Sequence, residues 1–114
     1  MAIANLDIQS TSAPILTVPP NKSYVVTTMM IVNIATPDPL DDTVGLTTLT
    51  MHIVNNGGVG SISNANIVIN QLPITAGETF VMDTEKIVLE AGDSIILTGA
   101  APANLSATVS YVEI

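Results

Sequence analysis

Turn-forming residues recur every 8–15 positions along this chain and leave only short segments between them. Pro19-Pro20-Asn21, the proline- and aspartate-rich stretch 36–42 and Asn55-Asn56-Gly57-Gly58 are the clearest of these signals. The intervening segments are rich in Thr, Ile and Val, which number 14, 14 and 12 and make up about a third of the residues. Because β-branched side chains suit a pleated sheet better than a helix, the pattern predicts seven or eight strands in an all-β, antiparallel β-sandwich of jelly-roll kind. An immunoglobulin-like sandwich is the alternative, although the chain has no Trp or Cys for its usual core.

The segment Ser23–Ile34 is the longest predicted strand and carries apolar side chains at both odd and even positions. Such a strand is either central in a sandwich or covered by a neighbouring subunit. We expect the surplus apolar side chains, Met29 and Ile31 among them, to lie between subunits of a homo-oligomer, with a trimer first and a dimer second.

The first twelve residues are mostly small or polar and show no sustained periodicity. We interpret residues 1–12 as an extended N-terminal arm and residues 13–114 as a single β-sandwich domain. Ile3, Leu6 and Ile8 would dock the arm on a neighbouring subunit, as segments that order on binding do.

Two similar corners occur fifteen residues apart, at Ala76-Gly77-Glu78 and Ala91-Gly92-Asp93. Each has a glycine where a sharp corner needs one, followed by an acidic residue and a new apolar strand. We interpret them as equivalent corners of one sandwich. The alternating segment Leu105–Ile114 predicts a last strand that continues to the final residue.

Charge and composition exclude several classes of function. Only 11% of the residues are charged, and the net charge is −8 with two lysines and no arginine, a balance that repels nucleic acid and anionic lipid. The absence of cysteine excludes disulfides and thiolate metal sites. The first residues lack the basic start and apolar run of a signal peptide, so we do not expect secretion by that route.

Few side chains suggest chemistry. Asp38, Asp41 and Asp42 are weak candidates for a calcium site, but their spacing fits no known calcium loop and a solvated loop is the preferred interpretation. His52 alternates with threonines, which predicts an ordinary surface or interface side chain. Glu78 and Asp93 follow the two corners and are interpreted as turn residues rather than an acid–base pair. We therefore expect no catalytic residues, no metal, no cofactor and no enzyme activity.

A resemblance adds to this interpretation. The run Leu16–Val26 with Ile31-Val32-Asn33, the corner Leu72–Glu78, the segment Leu89–Asp93 and the final strand Val109–Ile114 together resemble small virion structural proteins of tailed bacteriophages, particularly those of cyanobacterial and other marine hosts. The similarity spans residues 13–114, and the stretch Thr36–Val44 is an insertion relative to that family. The resemblance implies a non-enzymatic virion component assembled in the host cytoplasm. The first expectation is a capsid decoration or cement protein bound to the major capsid protein; a neck, tail or fibre subunit, or a receptor- or glycan-binding module, is the alternative.

Overall fold

Every regular element that the structure describes is a β-strand. The computed structural model describes residues 2–55, 62–83, 86–101 and 104–114, so the predicted turn at 55–58 lies outside the described residues except for Asn55. Nine strands occur in these ranges: β1 Ala2–Ile8, β2 Ala13–Thr17, β3 Tyr24–Asn33, β4 Thr47–Val54, β5 Ile67–Ile74, β6 Thr79–Met82, β7 Ile87–Leu89, β8 Ser94–Gly99 and β9 Leu105–Glu113. The described ranges contain no helix of the length and hydropathy needed to cross a membrane.

The strands form two antiparallel sheets. The first sheet has the order β1-β9-β3-β6, with β7 also paired to β3, and the second has the order β2-β8-β4-β5. Since β6 and β7 both lie along β3, they act as one interrupted strand, and the chain then winds between the two sheets as an eight-stranded jelly roll. The predicted all-β sandwich is confirmed, with nine strands in the described ranges rather than seven or eight.

The core lies between the two sheets and is filled by aliphatic side chains. Met29 and Ile31 on β3 meet Val109 and Ala107 on the neighbouring β9, and all four side chains are fully buried. Leu49 and Met51 on β4 contribute equally buried side chains from the second sheet. For β4 and β9, the alternation that predicted the strands therefore sets their inward faces.

The two glycine corners are equivalent in hydrogen bonding as well as in sequence. Gly77 and Gly92 have φ angles of 80° and 86°, which glycine adopts without steric cost. The Gly77 amide donates to the Asn33 carbonyl, and the Gly92 amide donates in the same way to that of Val18, each at 2.9 Å. The Asn33 amide donates in turn to the Glu78 carbonyl, and the Val18 amide donates to the Asp93 carbonyl. Both corners join strands of different sheets, which confirms their interpretation as equivalent corners of one sandwich.

The N-terminal segment differs from the expectation of an arm outside the sheet. Residues 2–8 form β1, which pairs with β9 from Ala2 opposite Tyr111 to Ile8 opposite Leu105. Ile8 is fully buried in the core. Small and polar side chains at alternate positions suit an edge strand that has one solvent-facing side, and this is why the segment lacks the apolar density of the central strands.

Asn33 ties the end of β3 to two neighbouring segments. Its side chain is fully buried, and its Nδ2 donates to the carbonyl oxygens of Gly45 and Ile74, each at 2.8 Å. Its Oδ1 accepts a hydrogen bond from the Ala35 amide at 3.0 Å. A buried amide with these partners fixes where the loop 36–44 leaves the sandwich.

Candidate interaction surface

The outer face of the first sheet presents apolar side chains to solvent. On β3 the buried side chains Met29 and Ile31 alternate with Met30 and Val32, which point away from the core. A bulge of one extra residue, Thr27, places Val26 on the buried face together with Met29. The second apolar set of β3 therefore forms an outward surface rather than a second layer of the core.

Neighbouring strands extend this surface on both sides of β3. Met30 lies opposite Val81 of β6 and Thr108 of β9. Val25 lies in the same way between Val88 of β7 and Val112 of β9. The exposed fractions of Met30, Val81 and Val88 are 45%, 48% and 57%. Isolated exposed apolar residues are ordinary, but these adjoin other apolar side chains across strands, in one group at Met30 and Val81 and a second at Val25, Val88 and Val112.

Charges stand at the margins of this face. Asp7 lies on the edge strand β1, and Lys86 lies beside the other margin, where its Nζ donates to the carbonyl oxygens of Thr27, at 3.0 Å, and Asp83. The described strand residues between these margins are aliphatic, Met, Ser, Thr or Asn on the outer face. A chain of net charge −8 thus keeps one broad sheet face almost free of charge.

The polar side chains of the outer face bond to one another. The hydroxyl groups of Thr27 and Ser110 are 2.8 Å apart, and the Thr108 hydroxyl donates to Asn5 Oδ1 at 2.9 Å. Removing water from polar groups that already have hydrogen-bond partners costs less free energy than removing it from unpaired groups. The surface is therefore suited to burial against another protein.

The structure corrects the predicted interface residues. Met29, Ile31 and Ile8 are completely buried within the chain, so they are not accessible to a neighbouring subunit. Leu6 packs partly against the core, and Ile3 is 65% exposed on the outer face. Because the bulge in β3 shifts the alternation by one residue, simple parity could not show that Met30, rather than Met29, faces outward.

The acidic loop is organised by its own hydrogen bonds. Asp38 accepts a bond from the Leu40 amide at 2.9 Å, and Asp41 accepts bonds from the Thr43 hydroxyl at 2.6 Å and the Thr43 amide at 3.0 Å. The hydroxyl bond, followed by the amide bond, holds the pKa of Asp41 below its ordinary value. The loop 36–44 lies outside the strands as predicted, and the described residues, Asp42 included, contain no group of His, Cys, Asp or Glu side chains able to hold a metal ion.

The other candidates for chemistry are separated or enclosed. The Glu78 carbonyl accepts a hydrogen bond from the Asn33 amide at the end of β3. Asp93 instead donates its amide to Glu90, whose carboxylate accepts a hydrogen bond from the Ser23 hydroxyl just before β3 begins. Ten residues of strand span about 30 Å, so Glu78 and Asp93 do not form an acid–base pair.

His52, predicted to be an ordinary surface or interface side chain, is less exposed than a surface side chain would be. It lies on the outer face of the second sheet between Ile96 and Ile67, but it is only 7% exposed because these bulky neighbours flank it. Its Nδ1 has no hydrogen-bond partner among the described residues.

A cavity of about 570 Å³ opens at one end of the sandwich, beside Ile53, Asn66 and Leu89. Its described lining contains no aromatic ring. Tyr24 and Tyr111 instead pack together against the core, with ring centroids 4.6 Å apart. Stacking on sugar rings requires exposed aromatic faces, so this cavity offers little to a glycan.

Comparison of the chain with protein-family models, with curated proteins and with solved structures gave no match.

Proposed function

We propose that this chain is a structural subunit of a bacteriophage virion, a capsid decoration or cement protein that binds the major capsid protein through the outer face of its first sheet. The observation that carries the proposal is the nearly uncharged apolar patch around Met30, Val81 and Val88. Its partner is a protein surface of matching shape and low charge, and the chain acts by adding contacts to the shell rather than by catalysis.

Burial of this patch against another protein would contribute favourably to the free energy of binding. Removing aliphatic side chains from water is favourable in proportion to the apolar area covered. The hydroxyl and amide groups among them keep their bonds within the sheet, and the carboxylates of the loop 36–44 lie outside the strands that carry the patch. Binding would therefore bury little unpaired polar surface.

The fold and the sequence resemblance support the same proposal by analogy. Jelly rolls occur in viral capsid proteins, and also in lectins and cupins, so the fold favours a virion role without requiring it. The resemblance to small phage virion proteins covers residues 13–114 and includes both glycine corners. A neck, tail or fibre subunit would use the same surface on a different shell protein.

A pair of valine variants tests the proposed surface. Val81 and Val68 are 48% and 51% exposed, on β6 of the first sheet and β5 of the second. We expect Val81→Lys to reduce binding to purified phage heads that lack the chain by about tenfold or more, because the interface would have to bury a lysine charge.

Val68→Lys is the matched control and is expected to bind these heads like the wild type. Equal binding by both variants, with both folded by circular dichroism, would overturn the assignment of this face. Failure of the wild-type chain to bind heads at all would overturn the capsid role.

A further inference from the structure

The four sheet edges of the sandwich are not equally protected against pairing with another strand. The edge strand β2 contains Pro14 and an irregular register, and the edge strand β5 contains Pro73 and a residue of positive φ, Gln71. The remaining edge of the first sheet is divided between β6 and β7, of four and three residues. Prolines, bulges and short strands are the devices by which proteins prevent edge-to-edge pairing.

The edge strand β1 has none of these devices. It runs for seven residues in unbroken register with β9 and contains no proline, glycine or lysine. Of the four edges, β1 is the one that is both long and regular among the described residues.

The hydrogen bonds of β9 identify the backbone groups of β1 that face away from it. The Asn104 and Ser110 carbonyls accept from residues of the β3 side, and the Ile114 amide donates to the Ser23 carbonyl on that side. Even-numbered residues of β9 therefore turn their backbone towards β3 and odd-numbered residues towards β1. In β1 the partners of those odd residues are Ala2, Ala4, Leu6 and Ile8.

It follows that Ile3, Asn5 and Asp7 direct their N–H and C=O groups out of the sheet. All three residues are exposed. Three outward residues provide six backbone groups that can receive another antiparallel strand.

We infer that β1 is a homodimer contact, in which two copies of this chain pair their β1 strands antiparallel about a twofold axis at Asn5. In that register Ile3 lies opposite Asp7 of the second copy, and Asn5 lies opposite Asn5. All six outward groups of each strand are then satisfied by six hydrogen bonds across the axis. The inference is independent of the virion role, because it concerns the purified chain alone.

Charge favours a second copy as the occupant of this edge. Asp7 is the one charged residue of β1, and in the twofold register it meets an isoleucine rather than another carboxylate. The two Asp7 side chains then stand about four residues, or roughly 13 Å, apart, which exceeds the screening length of about 8 Å at physiological salt. Two chains of charge −8 can therefore meet along this strand without opposing carboxylates.

A single cysteine tests the contact directly, since the chain contains none. Opposed hydrogen-bonded residues have Cα atoms about 5.5 Å apart, within the range of a disulfide. We expect Asn5→Cys to form a covalent dimer rapidly under mild oxidation, and Asn70→Cys, exposed on the protected edge strand β5, to form one at least tenfold more slowly. Equal rates for the two variants would overturn the inference.

Two charge variants test the register by sedimentation equilibrium. Protein concentrations in the high micromolar range suit the weak dimerisation expected of an interface made by one pair of strands. Ile3→Asp places two carboxylates opposite each other and is expected to leave only the 11.8 kDa monomer, whereas Ile3→Lys faces Asp7 and is expected to retain the dimer. Asn5→Pro, whose amide points away from β9, is expected to remain folded as a monomer. A wild-type chain that sediments as a monomer, or a dimer that Ile3→Asp and Asn5→Pro leave intact, would contradict the inference.

Discussion

The replacement Asn33→Ala should destabilise the sandwich strongly, because the side chain that it removes is buried and hydrogen-bonded. The side chain makes three hydrogen bonds, to the carbonyls of Gly45 and Ile74 and from the amide of Ala35. Alanine removes all three bonds, at backbone groups that are buried or partly buried. A lost bond costs about 0.5–1.5 kcal/mol and a fully buried orphan about 1–3 kcal/mol, so we expect a loss of about 3 kcal/mol. For 114 residues this corresponds to a fall in Tm of about 12 °C.

Urea and thermal unfolding followed by circular dichroism measure this loss, with Asn70→Ala on the exposed side of β5 as the matched control. The control should change the free energy of unfolding by less than about 0.5 kcal/mol. Asn33→Asp keeps the acceptor but replaces both donated bonds with a buried carboxylate facing two carbonyls, and it should destabilise at least as much at neutral pH. Unfolding of Asn33→Ala at the midpoint of the control would show that the buried amide does not fix the end of β3.

Three further predictions concern other parts of the fold. Deleting residues 2–8 removes the buried Ile8 and exposes β9, so we expect a loss of about 4 kcal/mol or more by urea unfolding; an unchanged midpoint would restore the interpretation of this segment as an arm. Gly77→Ala should cost about 1–3 kcal/mol, because φ is 80° and the new Cβ would lie 2.7 Å from Pro37 Cγ; a Tm equal to that of the wild type would refute this strain. The pKa of Asp41 lies below its ordinary value, so its contribution to stability is complete above the unfolded pKa and is lost as the pH falls through the folded one. Thr43→Val should raise that pKa in an NMR titration, and an unmoved pKa would exclude the hydroxyl bond as its main cause.

The fold class could be predicted from the sequence because its signals are local. Positive φ at Gly77 and Gly92 is a requirement of the corner itself, so the Ala-Gly-acid pattern locates both corners without tertiary information. The alternation of Leu105–Ile114 likewise gives the buried side of β9 directly.

The candidate surface could be predicted only in part, because it depends on pairing between distant strands. The bulge between Val26 and Thr28 arises from the register with β9, and it moves Met29 into the core and Met30 to the outside. The N-terminal segment has weak intrinsic preference, and β9, more than 90 residues away, supplies its strand partner. Local pattern carries neither piece of information.

The number of copies of this chain in purified phage particles is the most direct test of the proposed role. Quantitative mass spectrometry of separated heads and tails would provide it, calibrated against the major capsid protein. We expect hundreds of copies, all in the head fraction, as a repeated subunit on the shell requires. Absence from the particle, or a handful of copies confined to the tail, would contradict it.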